Sequence, residues 1–397
     1  MSNFPVIDKK EFTQRVKDIR VRMAEENVDM LVAFSNLLDP STVRYFTDFS
    51  AVNESAAIVI PLEGKVTLCS GQAGYDYALI KNRLDDSEIK IFPEIGEVSG
   101  FEYDTEGQLD FKEFFMQIKA QKKINKIAIA GKLTFPAVIY NKLVAVFDGA
   151  EIIDFDNQVY AQRVIKTESE LACIRKATDI ISATFETVVP KIQKGMTELQ
   201  VQAMFESEML NLGGESYVQA FAPMVATGPI NSHISMCRNT ARKLQESEIL
   251  NLAAGVCYEG YNGIICSPYV LGEVPAKISD AVKCAMDALN TASALMKPGV
   301  TCDVVMNAYT DYLTKYGYID YCPYGSLHST GLLECEAPVF SVANKREIKE
   351  NMAICIDAYF KGMEWGSFRV EDVYVIEKNG AKRITTYNDK FLPKIFK

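Results

Sequence analysis

Apolar residues recur at helical spacing over 12–26 and give way to an unbroken apolar run, Met30-Leu31-Val32-Ala33-Phe34. That order predicts a helix followed by a buried strand. Two short apolar stretches, 56–60 and 65–69, flank Pro61-Leu62-Glu63-Gly64, the signature of a hairpin. A strand over 126–130, a helix over 135–147 and a strand over 151–155 continue the alternation. Elements of both kinds in this order predict a small α/β domain with a mixed sheet. The pattern changes near residue 160. Thr167-Glu168-Ser169-Glu170 is a capping box, in which a hydroxyl and a carboxylate satisfy the first free N–H groups of a helix. An amphipathic helix should run from it to about 192. Thr197-Glu198-Leu199-Gln200 repeats the device and opens a helix to about 212. Two domains follow, 1–160 and 161–397.

The second domain carries an internal echo. Lys194-Gly195-Met196-Thr197 lies between two predicted helices, and Lys297-Pro298-Gly299-Val300-Thr301 does so 104 residues later. A Gly-containing loop follows each, and then one of the two histidines, His233 and His328. This predicts a duplicated unit with pseudo-two-fold symmetry.

Composition narrows the function. The 397 residues are 48% hydrophobic and 24% charged, near globular averages, which excludes disordered, collagenous and coiled-coil chains. The net charge is −10, so an acidic surface repels nucleic-acid phosphates and anionic membranes. The longest stretch without Asp, Glu, Lys or Arg, residues 216–237, is too polar to span a membrane. The N-terminus lacks an apolar signal segment. Ten cysteines without a C-x-x-C pair read as reduced thiols, so the expected location is cytoplasmic. Two histidines exclude a multi-His zinc site.

The chemistry must therefore run through few groups. His233 sits in a Gly/Pro loop, where it is either a buried histidine bonded to backbone or a general acid/base. His328 is flanked by small residues that allow close backbone approach, with Glu334, Cys335 and Glu336 following. In the strand pattern Phe368-Arg-Val-Glu-Asp-Val-Tyr-Val-Ile376, alternation puts Glu371 on one face with Arg369, Val373 and Val375. A carboxylate among valines points inward and needs a partner. Asp357, after the apolar run Ala353-Ile-Cys-Ile, poses the same question.

Residues 160–397 resemble the creatinase/aminopeptidase P/methionine aminopeptidase superfamily, the pita-bread fold, and residues 1–160 resemble its creatinase-type N-terminal domain. The resemblance rests on Lys166-Thr-Glu-Ser-Glu, Lys194-Gly-Met-Thr, the run from His328 through Gly331, Leu332, Cys335 and Glu336 to Pro338, and Gly366-x-x-Arg-Val-Glu-Asp. It implies an α/β (α+β) chain: an N-terminal α/β domain, then a pseudo-two-fold pita-bread domain. The family's peptidases hold two metal ions with two Asp, one His and two Glu. Here Ala253 and Ile264 stand where the two Asp belong, His328 and Glu371 keep their places, and Asp357 shortens the other Glu. Alanine and isoleucine coordinate nothing, so no cofactor is expected, with one divalent ion on His328, Asp357 and Glu371 as the lesser alternative.

The metal-free precedent in the family is creatinase, whose catalytic histidine matches His233. By that resemblance His233 moves protons in a C–N bond hydrolysis. Glu371 and Asp357 stabilise positive charge on a small guanidino, amidino or amide substrate, and His328 orients it. Creatinase's carboxylate-clamping arginines are absent, since no Arg occurs from 45 to 82 or from 329 to 345. Glu54 at a clamp position would favour an amine. Cys266 and Cys335 fall on motif positions, as small buried hydrophobes or, beside an imidazole, as nucleophiles. The resemblance implies a homodimer acting on a small molecule. The rival readings are a metallopeptidase of the Xaa-Pro type and a catalytically inactive binding protein.

Overall fold

A computed structural model describes residues 5–97, 108–215, 222–232, 238–323 and 327–397. The chain forms two compact units that divide between Arg163 and Val164.

The first unit holds β1 (Met30–Ser35), β2 (Ala56–Pro61), β3 (Val66–Ser70), β4 (Ser87–Ile91), β5 (Lys126–Ala130) and β6 (Glu151–Asp154). They form one mixed sheet in the order β4-β3-β2-β1-β5-β6. The predicted hairpin is present, with β2 and β3 antiparallel. Its helices are α1 (Lys9–Glu25), α2 (Ser41–Thr47), α3 (Tyr75–Lys81), α4 (Phe111–Gln121), α5 (Ala137–Val146) and α6 (Asp156–Arg163). Phe111, Phe114 and Phe115 of α4 pack with Phe92 and Phe147 over one sheet face.

The second unit has helices α7 (Glu168–Val188), α8 (Glu198–Asn211), α9 (Gly228–Asn231), α10 (Ala276–Leu295), α11 (Cys302–Lys315) and α12 (Tyr387–Ile395). Both capping boxes form. Glu170 N donates to Thr167 Oγ1 at 3.2 Å and Thr167 N to Glu170 Oε2 at 2.7 Å. Gln200 N donates to Thr197 Oγ1 at 3.1 Å and Thr197 N to Gln200 Oε1 at 2.8 Å. The helix α7 ends four residues earlier than its apolar spacing suggests. Pro190 has no N–H to continue the ladder, and Val189–Lys191 tighten into a 3₁₀ turn.

The strands are β7 (Met224–Thr227), β8 (Ile249–Tyr258), β9 (Tyr261–Val270), β10 (Leu327–Ser329), β11 (Glu336–Val339), β12 (Ala353–Met363), β13 (Gly366–Glu377) and β14 (Gly380–Arg383). They form one sheet in the order β11-β10-β12-β13-β9-β8-β7, with β14 beside β13. One face is apolar. Ile354, Ile356 and Ala358 of β12 and Phe368 and Val370 of β13 meet Ile278, Val282, Ala285 and Leu289 of α10. Each Ile, Val, Leu and Phe there contributes about 1.5–3 kcal/mol by leaving water. The alternate residues of the same strands line the opposite face.

The echo in the sequence is a repeat in the backbone. Gly195 N donates to Leu244 O, Glu198 N to Arg242 O and Leu199 N to Thr240 O. Gly299 N donates to Ile348 O, Cys302 N to Arg346 O and Asp303 N to Asn344 O. Donors and acceptors alike are shifted by 104 residues, so the two halves tie the starts of α8 and α11 in the same way.

Where α7 crosses the sheet, only glycine fits. A Cβ on Gly263 of β9 would lie 2.4 Å from the backbone carbon of Ala177. Backbone cannot swing aside as a side chain can. Gly263→Ala is expected to cost about 1–3 kcal/mol or more and to lower Tm by roughly 3–10 °C in a thermal melt. Leu133→Ala, at a fully exposed side chain, should leave Tm unchanged.

Candidate active site

Strand register assembles the site. Glu371 on β13 pairs with Asp357 on β12 and with Cys266 on β9. Cys266 pairs in turn with Ala253 on β8. His328 on β10 pairs with Cys355 on β12. Residues directly opposite in antiparallel strands share a face. Five strands thus present His328, Cys355, Asp357, Glu371, Cys266 and Ala253 together, on the face away from α10.

His328 has its ring orientation set by its neighbours. Nδ1 lies 3.1 Å from the carbonyl oxygen of Ser329, which can only accept, so Nδ1 carries a proton. Nε2 then faces Glu334 Oε1 at 3.5 Å and Glu371 Oε1 at 3.8 Å. Burial alone would lower its pKa, but a hydrogen bond with Cys335 and the charges of Glu334 and Glu371 outweigh it and raise it to about 10. His328 is therefore an imidazolium at neutral pH.

Glu371 is 1% exposed. Burial pushes its pKa up, the charges of Asp357 and Glu334 push the same way, and the pull of His328 leaves it at about 8. Cys266 Sγ donates to Glu371 Oε2 at 3.0 Å, while Oε1 accepts no hydrogen bond among the described residues. Burial raises the Cys266 and Cys355 thiols well above their ordinary range.

Asp357 is held by a cation. Arg369 Nη1 lies 3.7 Å from Asp357 Oδ2, and the guanidinium covers the Tyr359 ring at 4.7 Å from its centroid. Arg369 is itself buried, and its backbone N donates to Asn251 Oδ1 at 3.0 Å. Sequence reasoning put Arg369 on the Glu371 face but gave it no role. It noted Glu334 after His328 without giving it a role, and it passed over Cys355, whose place two residues before Asp357 was the available signal.

The other expected residues fall differently. Cys335 is exposed and hydrogen-bonds His328. Glu54 belongs to the first unit, where it is buried and both carboxylate oxygens are taken by backbone: Ala73 N at 3.0 Å and Gly74 N at 2.8 Å. Gly71 and Gly74 leave the room it occupies. His233 lies outside the described residues. The chain on either side of it is anchored by one buried carboxylate, Glu198 of α8. Its Oε1 accepts from Thr227 Oγ1 at 2.6 Å and its Oε2 from Thr240 Oγ1 at 2.6 Å. Ser232 Oγ accepts from Ser367 N at 2.8 Å, tying the same segment to the start of β13.

The donor set does not fit the family's pair of metal ions. Ala253 and Ile264 are 2% and 0% exposed, and neither has a lone pair to offer. The described residues do bring three donors together: one atom each from His328, Cys355 and Glu371, all within 4.8 Å of one another. Two of the three, His328 and Glu371, also belong to the single-ion alternative drawn from the sequence; its other member, Asp357, has its Oδ2 3.7 Å from Arg369 Nη1.

The loop carrying Glu334 and Cys335 is fixed by a fully buried ion pair. Lys166 Nζ lies 3.1 Å from Glu336 Oε2, and Glu336 Oε1 accepts from Leu333 N at 3.0 Å. Removing one partner strands the other charge in the interior. Lys166→Met should cost about 3–5 kcal/mol in urea unfolding.

Comparison with known proteins covers most of both units. Residues 172–378 match metallopeptidase family M24, and residues 15–165 match the creatinase/prolidase N-terminal domain. An uncharacterised peptidase of Staphylococcus saprophyticus is 29% identical over 353 residues, covering 88% of this chain and 93% of the relative. A Xaa-Pro dipeptidase of Pyrococcus furiosus is 25% identical, covering 94% and 97%. In fold, the prolidase of Pyrococcus horikoshii superposes with a TM-score of 0.79 at 24% identity, covering 94% of this chain and 98% of that one.

Proposed function

The chain belongs to metallopeptidase family M24, and on that premise we propose that it hydrolyses the C–N bond of a short peptide with its own side chains, without paired metal ions. The relatives named Xaa-Pro dipeptidase make a dipeptide ending in proline the first substrate to try.

One observation carries the reading. The acids on the inner face are already matched by cations of the chain itself, Asp357 by Arg369 and Glu334 by the His328 imidazolium. A metal pair would supply positive charge for the developing oxyanion and activate a water. Here the apolar Ala253 and Ile264 take the places of two ligands, and buried cations stand close by. The same balance weakens the expectation of a cationic guanidino substrate. With Asp357 and Glu334 beside cations and the pKa of Glu371 raised to about 8, the face has little excess negative charge, and a zwitterionic dipeptide suits it better.

The roles follow from the chemistry. Amide hydrolysis needs a base for water, a fixed positive field at the carbonyl oxygen and an acid for the leaving nitrogen. Glu371 exchanges a proton near neutrality and is assigned, with His233, the proton work. His328, with Nδ1 committed to Ser329, supplies the fixed positive field through Nε2. Burial makes that field strong, because little water screens it.

The test is turnover of a panel of Xaa-Pro dipeptides, other dipeptides and guanidino compounds by protein purified with and without chelator. The expected result is cleavage of a dipeptide at a rate that chelation leaves unchanged. Glu371→Gln and His233→Ala should each lower kcat by roughly 10²–10⁴-fold. Turnover that needs two equivalents of manganese or cobalt would overturn the metal-independent reading. Tight peptide binding with no product would mark a binding protein.

A further inference from the structure

Three donors of different chemistry meet on the inner face, and two of them belong to no all-oxygen ligand set. The Cys355 thiol and the Glu371 carboxylate are fully buried, and the His328 ring is nearly so. Their ligating atoms lie within 4.8 Å of one another. Glu371 Oε2 is occupied by the Cys266 thiol at 3.0 Å, which leaves the buried Oε1 without a hydrogen bond among the described residues. His328 Nε2 faces that oxygen at 3.8 Å, too far for a hydrogen bond. A buried carboxylate oxygen with nothing to accept from points to a ligand.

We infer that His328, Cys355 and Glu371 form a single site for one thiophilic divalent cation, of which Zn(II) is the natural probe. Sulfur, nitrogen and one oxygen select zinc over the hard ions that want near-complete oxygen shells. Around one zinc, Zn–S is about 2.3 Å and Zn–N and Zn–O about 2.0–2.2 Å, so the three donors need to close by only about 1 Å. Asp357 is not one of the three, and its Oδ2 lies 3.7 Å from Arg369 Nη1. Ala253 and Ile264 leave no donor for a second ion. Binding is balanced by proton release: the thiol loses its proton to become the thiolate ligand, Glu371 binds as carboxylate, and Nε2 of His328 gives up its proton.

Zinc at this position takes His328 and Glu371 out of the work assigned to them above. It is therefore an inhibitor of the hydrolysis, a consequence that rests on that reading. The site itself does not, since it is read without substrate.

The experiment is titration of the chelator-stripped full chain with Zn(II) and with Mn(II), followed by Co(II) absorption. The site requires one equivalent of zinc, with manganese bound at least tenfold more weakly. Co(II) should give a thiolate charge-transfer band in the near ultraviolet, a signature the wild-type chain provides without any variant. Cys355→Ser, checked for native Tm, should lose the band and weaken zinc by roughly a hundredfold, since loss of even an outer-sphere partner costs 10–100-fold. No zinc binding, or a band that survives Cys355→Ser, would overturn the inference and leave the hydrolytic reading standing, whereas two equivalents of zinc would overturn both the inference and the exclusion of a second ion. Zinc that binds and raises turnover would overturn the inhibitory role and the metal-independent reading together.

Discussion

The site depends on the pairing of β13 with β12 on one side and β9 on the other. That register sets Asp357, Glu371, Cys266 and Ala253 in one row across four strands. A slip of one residue would turn Glu371 into the apolar layer against α10 and bring Asp372 or Val370 inward. The register is held by burial on the other face, where Ile356, Ala358, Phe368 and Val370 pack on the helix. The geometry of the polar face is thus fixed by the hydrophobic one.

From that row the charge arrangement follows. A buried carboxylate is tolerated only if it is paired or protonated. Asp357 takes the first solution, through Arg369 two residues before Glu371 on the same strand face. Glu371 takes the second, with a pKa raised into the neutral range. His328 takes up the remaining negative charge as an imidazolium. The inner face of this M24 chain is thus largely neutralised from within, the arrangement on which the proposed hydrolysis without paired ions draws.

Much of this was legible in the sequence, for physical reasons. Capping boxes are local, so Thr167 and Thr197 mark helix starts without tertiary help. Alternation in 368–376 put Arg369 and Glu371 on one face, and the spacing of the two Gly-centred segments announced the repeat. What escaped depends on other strands. That Arg369 meets Asp357, and that Cys355 stands opposite His328, is a matter of register between β12, β13 and β10. Glu54 looked like a ligand clamp because charge alone is visible in a sequence, whereas the backbone N–H groups of Ala73 and Gly74 that absorb it are not.

The proposed hydrolysis without paired ions turns on Ala253 and Ile264, which put no donor where two acidic ligands would stand. The direct measurement is calorimetric titration of Mn(II) into the wild-type chain and into Ala253→Asp/Ile264→Asp, with thermal melts confirming that both are folded. The account requires no paired manganese binding in the wild type and two equivalents in the double variant. Two equivalents already bound by the wild-type chain would contradict it.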